Sequence, residues 1–238
     1  MKKNHARCAS ILFCLGIGIV ASEPTAAAEP GFYIGGYAGQ SSKDAPRSFY
    51  ELFNDDIQTF AFFTRTEQTA SFDDSDIAYG LVMGYRLTPH IAFEGGYQNF
   101  GTVTFESRAT GNFPLESGTT AVTIESETTG FTLTALGVLP LSRDWELFAR
   151  AGALFADNKI RISVASQGQR FVPPLGNRFT GSDAQGTTSL YAGLGLSRRF
   201  FDIYDLRLEY QRAFDVGVEA TGGKADLDTA LLGLTVTF

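Results

Sequence analysis

GYRLTPHIAFEGGYQNFG, residues Gly84 to Gly101, decides the fold. It reads as two strands joined by a very short turn at Thr88-Pro89. Beyond the turn the residues alternate. Ile91, Phe93, Gly95 and Tyr97 share one face, and Ala92, Glu94, Gly96 and Gln98 share the other. The first face is apolar and aromatic; the second is small or polar, with a carboxylate at its centre. In a soluble sheet the apolar face would turn into a core. Here similar strands recur to the end of the chain and their second faces carry charges. The polar face is therefore predicted to be the inside, and the apolar face to meet lipid.

Working outward, the same alternation marks strands over 31–40, 76–87, from 90 past 100, and over 129–139, 144–156, 187–200, 205–216 and 225–238. The predicted fold is all-β: an eight-stranded antiparallel transmembrane barrel. Short turns follow strands two, four and six. Long connections, 41–75, 102–128, 157–186 and a shorter 216–224, follow the others. Barrels of the bacterial outer membrane show this asymmetry, with tight periplasmic turns and long extracellular loops. Closure removes the unpaired strand edges that lipid cannot satisfy. The alternation of Val103/Phe105 and of Val122/Ile124 predicts that strands three and four continue into 102–128, and the apolar run 57–63 has the same potential within 41–75.

Composition agrees. The 238 residues include 26 Gly and 21 Phe, and the mean hydropathy is -0.02. A helical membrane protein needs runs of ~20 apolar residues, and the sequence has none. Residues 1–28 read as a cleaved secretory signal peptide, leaving 29–238 as the barrel. Lys2, Lys3 and Arg7 form a basic start, 11–21 an apolar run too short to span, and Ala26-Ala27-Ala28 a small-residue cleavage site. Both cysteines, Cys8 and Cys14, fall in this leader, so the exported chain is expected to form no disulfide. The net charge of -7 argues against a nucleic-acid partner.

Three blocks carry a family resemblance: 84–101, GFTLTALGVLPLSRDWELFARAGALF over 130–155, and RLEYQ over 207–211. In order, spacing and turn positions the chain resembles the barrel domain of the outer-membrane protein A family, without the peptidoglycan-binding domain of larger members. The resemblance implies the outer membrane of a Gram-negative bacterium and one of the small barrels that include surface antigens and adhesins. It also implies an interior ion pair blocking or gating the lumen, at Glu94 and Arg207. A second interior Lys–Glu pair of the family does not carry over, because Leu136 and Ser197 stand there. The terminal Phe238 is by the same resemblance the signal read by the barrel-insertion machinery.

Other inward charges, Arg86, Glu146, Arg150 and Glu209, are candidates for further lumen pairs. They line a narrow conduit or plug it; an eight-stranded barrel is just wide enough for side chains to fill. No catalytic set is marked: beyond the leader His90 is the only histidine, and it sits at a periplasmic turn. Asp73-Asp74-Ser75-Asp76 offers oxygen ligands but lacks the spacing of a dedicated calcium loop, so no metal or cofactor is expected. The expected role is non-enzymatic, structural or surface-interacting through the extracellular loops. The alternative is a small low-conductance porin gated by the Glu–Arg pair. Expected partners are outer-membrane lipid and lipopolysaccharide, the insertion machinery, and an extracellular ligand on the loops.

Overall fold

The computed structural model describes residues 30–44, 47–60, 64–112, 117–167, 178–217 and 224–238. The expected leader, its cleavage site and both cysteines lie outside these. The elements are β1 (Gly31–Lys43), α1 (Arg47–Phe60), β2 (Thr64–Asp73), β3 (Ser75–Thr88), β4 (Ile91–Asn112), β5 (Ser117–Pro140), β6 (Trp145–Gln167), β7 (Arg178–Phe200), β8 (Tyr204–Val216) and β9 (Ala225–Thr237).

Antiparallel neighbours run β4-β3-β1-β9-β8-β7-β6-β5, and pairing of β4 with β5 closes the ring at eight. The ninth strand, β2, pairs only with the upper part of β4 and continues the line of β3. The quoted hairpin forms as its pattern requires. Thr88 pairs with Ile91, and its hydroxyl accepts the His90 N–H at 3.2 Å. The neighbouring Pro89 has no N–H to place.

Facing follows the predicted parity. Leu81, Met83, Phe93, Phe131, Leu133, Leu190 and Leu208 point outward and are exposed, whereas Arg86, Glu94, Arg150 and Arg207 are buried inside. Along β5 the outward apolar run from Leu139 to Phe131 climbs about 20 Å at ~3.4 Å per residue and a tilt of ~40°. That is close to the apolar height of such barrels. Aromatics edge the band. Phe32 meets Tyr85 at 4.6 Å near the turn end, and Tyr97 meets Phe131 at 5.0 Å near the top. Such girdles belong at membrane interfaces.

Above the band the structure departs from the sequence reading. The expected connection 157–186 is largely strand, since β6 runs to Gln167 and β7 begins at Arg178. Within 41–75 a helix stands where only polar loop or strand extension was expected. Five strands, β2, β4, β5, β6 and β7, thus rise beyond the ring. Their inward side chains Val103, Phe105, Val122, Ile124, Ile160 and Val164 form an apolar cluster with Tyr50 of α1, which is 1 % exposed. Tyr50 stacks on Phe105 at 6.0 Å and meets Phe72 at 5.3 Å.

One irregularity makes this possible. In β4 the inward residues are even-numbered up to Phe100 and odd-numbered from Val103. The register against β5 shifts between Asn99 and Thr102, with Gly101 at φ +83°. A bulge there turns Val103 and Phe105 inward; an unbroken strand would point them out.

Candidate functional site

The inside of the ring carries nearly all the chemistry the sequence marks. It is built in layers, because inward residues of neighbouring strands meet at common heights. Next to the short turns, the Arg86 guanidinium donates to both Glu146 oxygens, at 3.0 and 2.7 Å, and to the Pro89 carbonyl at 3.3 Å. Arg199 grips Asp205 in the same two-pronged way, at 2.8 and 3.0 Å. Such paired contacts fix geometry as well as charge. An apolar layer of Tyr33, Ala92, Leu136, Val138 and Phe148 lies beside them. Leu136 is part of this packing.

The central layer holds four charges in a row. Glu94 accepts from Arg207 at 2.6 Å and from the Tyr33 hydroxyl at 2.7 Å. Its other oxygen lies 2.9 Å from Arg150, a charge contact without hydrogen-bond alignment. Arg150 in turn donates to Glu209 at 2.8 Å. The order is Arg207, Glu94, Arg150, Glu209: two cations, two anions, alternating. Aromatic faces complete the enclosure, with Arg207 5.0 Å from the Tyr33 ring and 5.4 Å from Phe148. The structure thus brings Glu94 and Arg207 together and adds Arg150 and Glu209 to them. Arg86 and Glu146 form a separate pair.

Above lies an uncharged polar layer. Tyr37 and Tyr191 both donate to the Gln98 carbonyl oxygen, at 3.3 and 3.2 Å, and Tyr191 also bonds Gln211. Gln98 and Gln211 are completely buried. Then come Phe100, Leu154 and Leu227, an apolar floor beneath Lys43. Lys43 ends β1 above the membrane, since the outward residues of β1 turn polar at Gln40. It is 5 % exposed, and among the described residues its amine meets only Thr128, at 3.5 Å. Burial lowers its pKa to about 8. Thr128 passes the chain on to Asn158 at 3.0 Å and Asn158 to Thr187 at 3.3 Å.

Sequence reasoning named six of the interior charges and placed Gln98 on the inner face, but did not single out Tyr33, Tyr191, Lys43 or the Arg199–Asp205 pair. Parity alone puts Tyr33 inward, in step with Gly35 and opposite Gly84. A Cβ on Gly84 would lie 2.3 Å from the Tyr33 ring, so the glycine leaves the space the ring fills. The acidic run 73–76 is used structurally. Asp73 accepts the Ser75 N–H at 3.2 Å, and Asp76 accepts from Ile77 at 2.7 Å and from Thr102 at 2.9 Å. Among the described residues no group of His, Cys, Asp or Glu is placed to hold a metal ion. Phe238 is exposed at the strand end, its N–H donating to the Phe32 carbonyl at 2.9 Å.

Comparison with known proteins places this architecture. The family model described as the OmpA-like transmembrane domain matches residues 27–238. No curated protein matches. Among solved structures, Neisserial surface protein A aligns at 14% identity and TM-score 0.42, over 87% of this chain and 97% of its own. Ail, the attachment invasion locus protein of Yersinia pestis, solved with the heparin analogue sucrose octasulfate, aligns at 14% and 0.45, over 89% and 99%. The N-terminal barrel of Pseudomonas aeruginosa OprF aligns at 14% and 0.42, over 88% and 100%.

Proposed function

The chain belongs to the OmpA-like transmembrane domain family, a barrel of the Gram-negative outer membrane, and on that premise we propose a non-enzymatic protein that acts through the part standing outside the bilayer. The filled lumen carries this reading. At the level of Glu94 and Gln98 the cross-section is occupied by charged, amide and tyrosine side chains bonded to one another. A buried ion pair that loses one member leaves an uncompensated charge costing about 3–5 kcal/mol. Opening a path would have to break several such contacts at once. Nothing marks His90 as a catalytic base: it sits at a turn with Nδ1 3.2 Å from the Val138 carbonyl.

What remains available to partners is the outer storey, where the strands and α1 hold a shaped surface on a rigid base. An extracellular ligand would be met there. Lipid and lipopolysaccharide would be met at the rim, and the insertion machinery at Phe238. Planar-bilayer recordings of the protein beside Glu94→Ala and Arg207→Ala test the lumen; silence from all three is expected. Steady openings that grow in both variants would instead make the pair a gate and the protein a low-conductance porin. Binding of expressing cells to a surface ligand is expected to fall when α1 and the segments 113–116 and 168–177 are deleted. Unchanged binding would remove the interaction role.

A further inference from the structure

On the outward face of β4, β5 and β6, just above the apolar band, Thr102, Thr104, Glu125, Glu127, Lys159 and Arg161 line a groove of about 270 Å³. Register sets the grid. Glu125 stands opposite Arg161 and Glu127 opposite Lys159, with Thr104 and Thr102 on the far side of the two glutamates. The groove begins just above the bulge at Gly101, and its threonines and glutamates are half-buried although they face outward.

Opposed charges on neighbouring strands ordinarily close into ion pairs. These hardly do. Arg161 reaches Glu125 only at 3.5 Å, with both side chains well exposed. Lys159 pairs with no carboxylate among the described residues, although Glu127 is its direct cross-strand neighbour. Arg212, by contrast, holds Asp226 at 2.6 Å and Asp228 at 3.4 Å. The groove thus holds one long, exposed ion pair and one cation without a carboxylate partner among the described residues, its cation and anion rows about one inter-strand spacing, ~4.8 Å, apart. Below it, past the row Asn99, Thr129 and Asp157, stand Tyr97, Phe131 and Phe155, outward and exposed.

We propose that this groove binds the headgroup of an outer-leaflet lipid that carries a phosphate and a primary ammonium together, the ammonium N–H groups donating to the glutamates as a quaternary ammonium cannot. The phosphate lies against Lys159 and Arg161, the ammonium against Glu125 and Glu127, and the acyl chains run down over the three aromatic rings. A phosphate and an amine two carbons apart match the spacing of the two charge rows. A purely anionic headgroup would face the glutamates unpaired. The site deepens the lipid contact of the proposed function and rests on this end of the barrel standing at the outer leaflet.

Native mass spectrometry of protein purified from outer membranes in a non-ionic detergent tests it, with added phosphatidylethanolamine, phosphatidylglycerol and phosphatidylcholine. Phosphatidylethanolamine is expected to be retained at least tenfold better than the other two. Lys159→Gln with Arg161→Gln is expected to erase that preference, while Arg198→Gln at the opposite end leaves it intact. Equal retention of the three lipids, or a preference that survives the double substitution, overturns the site. Soluble phosphoethanolamine displacing the lipid at equal concentration overturns the lipid as its source. Retained heat-modifiable migration on gels shows that each variant is folded. Conductance and cell binding read the proposed function separately, so either can fail alone.

Discussion

Arg150 is the residue on which the interior charges turn. It lies between Glu94 and Glu209 and is 5 % exposed. Replacing it with Met keeps bulk but leaves Glu209 without a cation and Glu94 with one. A loss of about 3–5 kcal/mol is expected, read as a lower urea midpoint for unfolding in micelles. Glu209→Gln added to that background should recover part of it, since the orphaned charge is then gone. Lys43 makes the opposite case, a buried cation with one weak partner. Its pKa is about 8 in the folded chain, against the ordinary 10.5. Above pH 8 the folded state has shed a proton that the unfolded state still holds, so folding gains from rising pH until about 10.4. Lys43→Met is therefore expected to stabilise at pH 7, by up to about 3 kcal/mol from the size of the shift. The advantage should fade between pH 8 and 10.5; urea midpoints of both proteins at pH 7 and pH 10 check this. The inward direction of the six charges was legible from alternation alone. Who bonds whom was not: Glu94 and Arg207 lie 113 positions apart, and their meeting depends on how far the strands are staggered around the ring, which no local pattern records.

At the scale of elements, the bulge in β4 governs how the outer storey is built. Gly101 has φ +83°, and a Cβ there would lie 2.5 Å from the Asp76 side chain. Asp76 in turn holds the Thr102 N–H at 2.9 Å. Gly101→Ala meets both the left-handed penalty, about 1–2 kcal/mol, and the clash. The expected result is faster amide exchange and proteolysis in β2 and the upper parts of β4 and β5, with the membrane-level strands unchanged. Loss of the whole barrel would show that the bulge is needed for closure itself. The sequence carried half of this: Val103/Phe105 and Val122/Ile124 do alternate as strand. The third connection was misjudged because Gly, Ser, Gln and Pro around 157–186 are loop-formers by composition, whereas pairing of β6 with β7 extends to Ala165 and Arg178. The helix was missed for a different reason. Phe49, Tyr50, Phe53, Ile57 and Phe60 recur at helical spacing, but in a chain otherwise governed by a period of two the apolar run looked like more strand.

Over the whole molecule, the two storeys obey opposite rules. Within the membrane the barrel is polar inside and apolar outside; above Gly101 it is apolar inside and polar outside. The strands β4 to β7 run through both, β4 by way of its bulge at Gly101. The effect of a substitution therefore depends on height as well as on side. An outward leucine exchanged for serine loses lipid contact at the level of Leu133, and at the level of Thr123 the same exchange in reverse adds an exposed apolar spot. An inward valine is misplaced among the charges and at home beside Tyr50. One continuous chain is thus written in two grammars, and the reader must know on which floor each word stands.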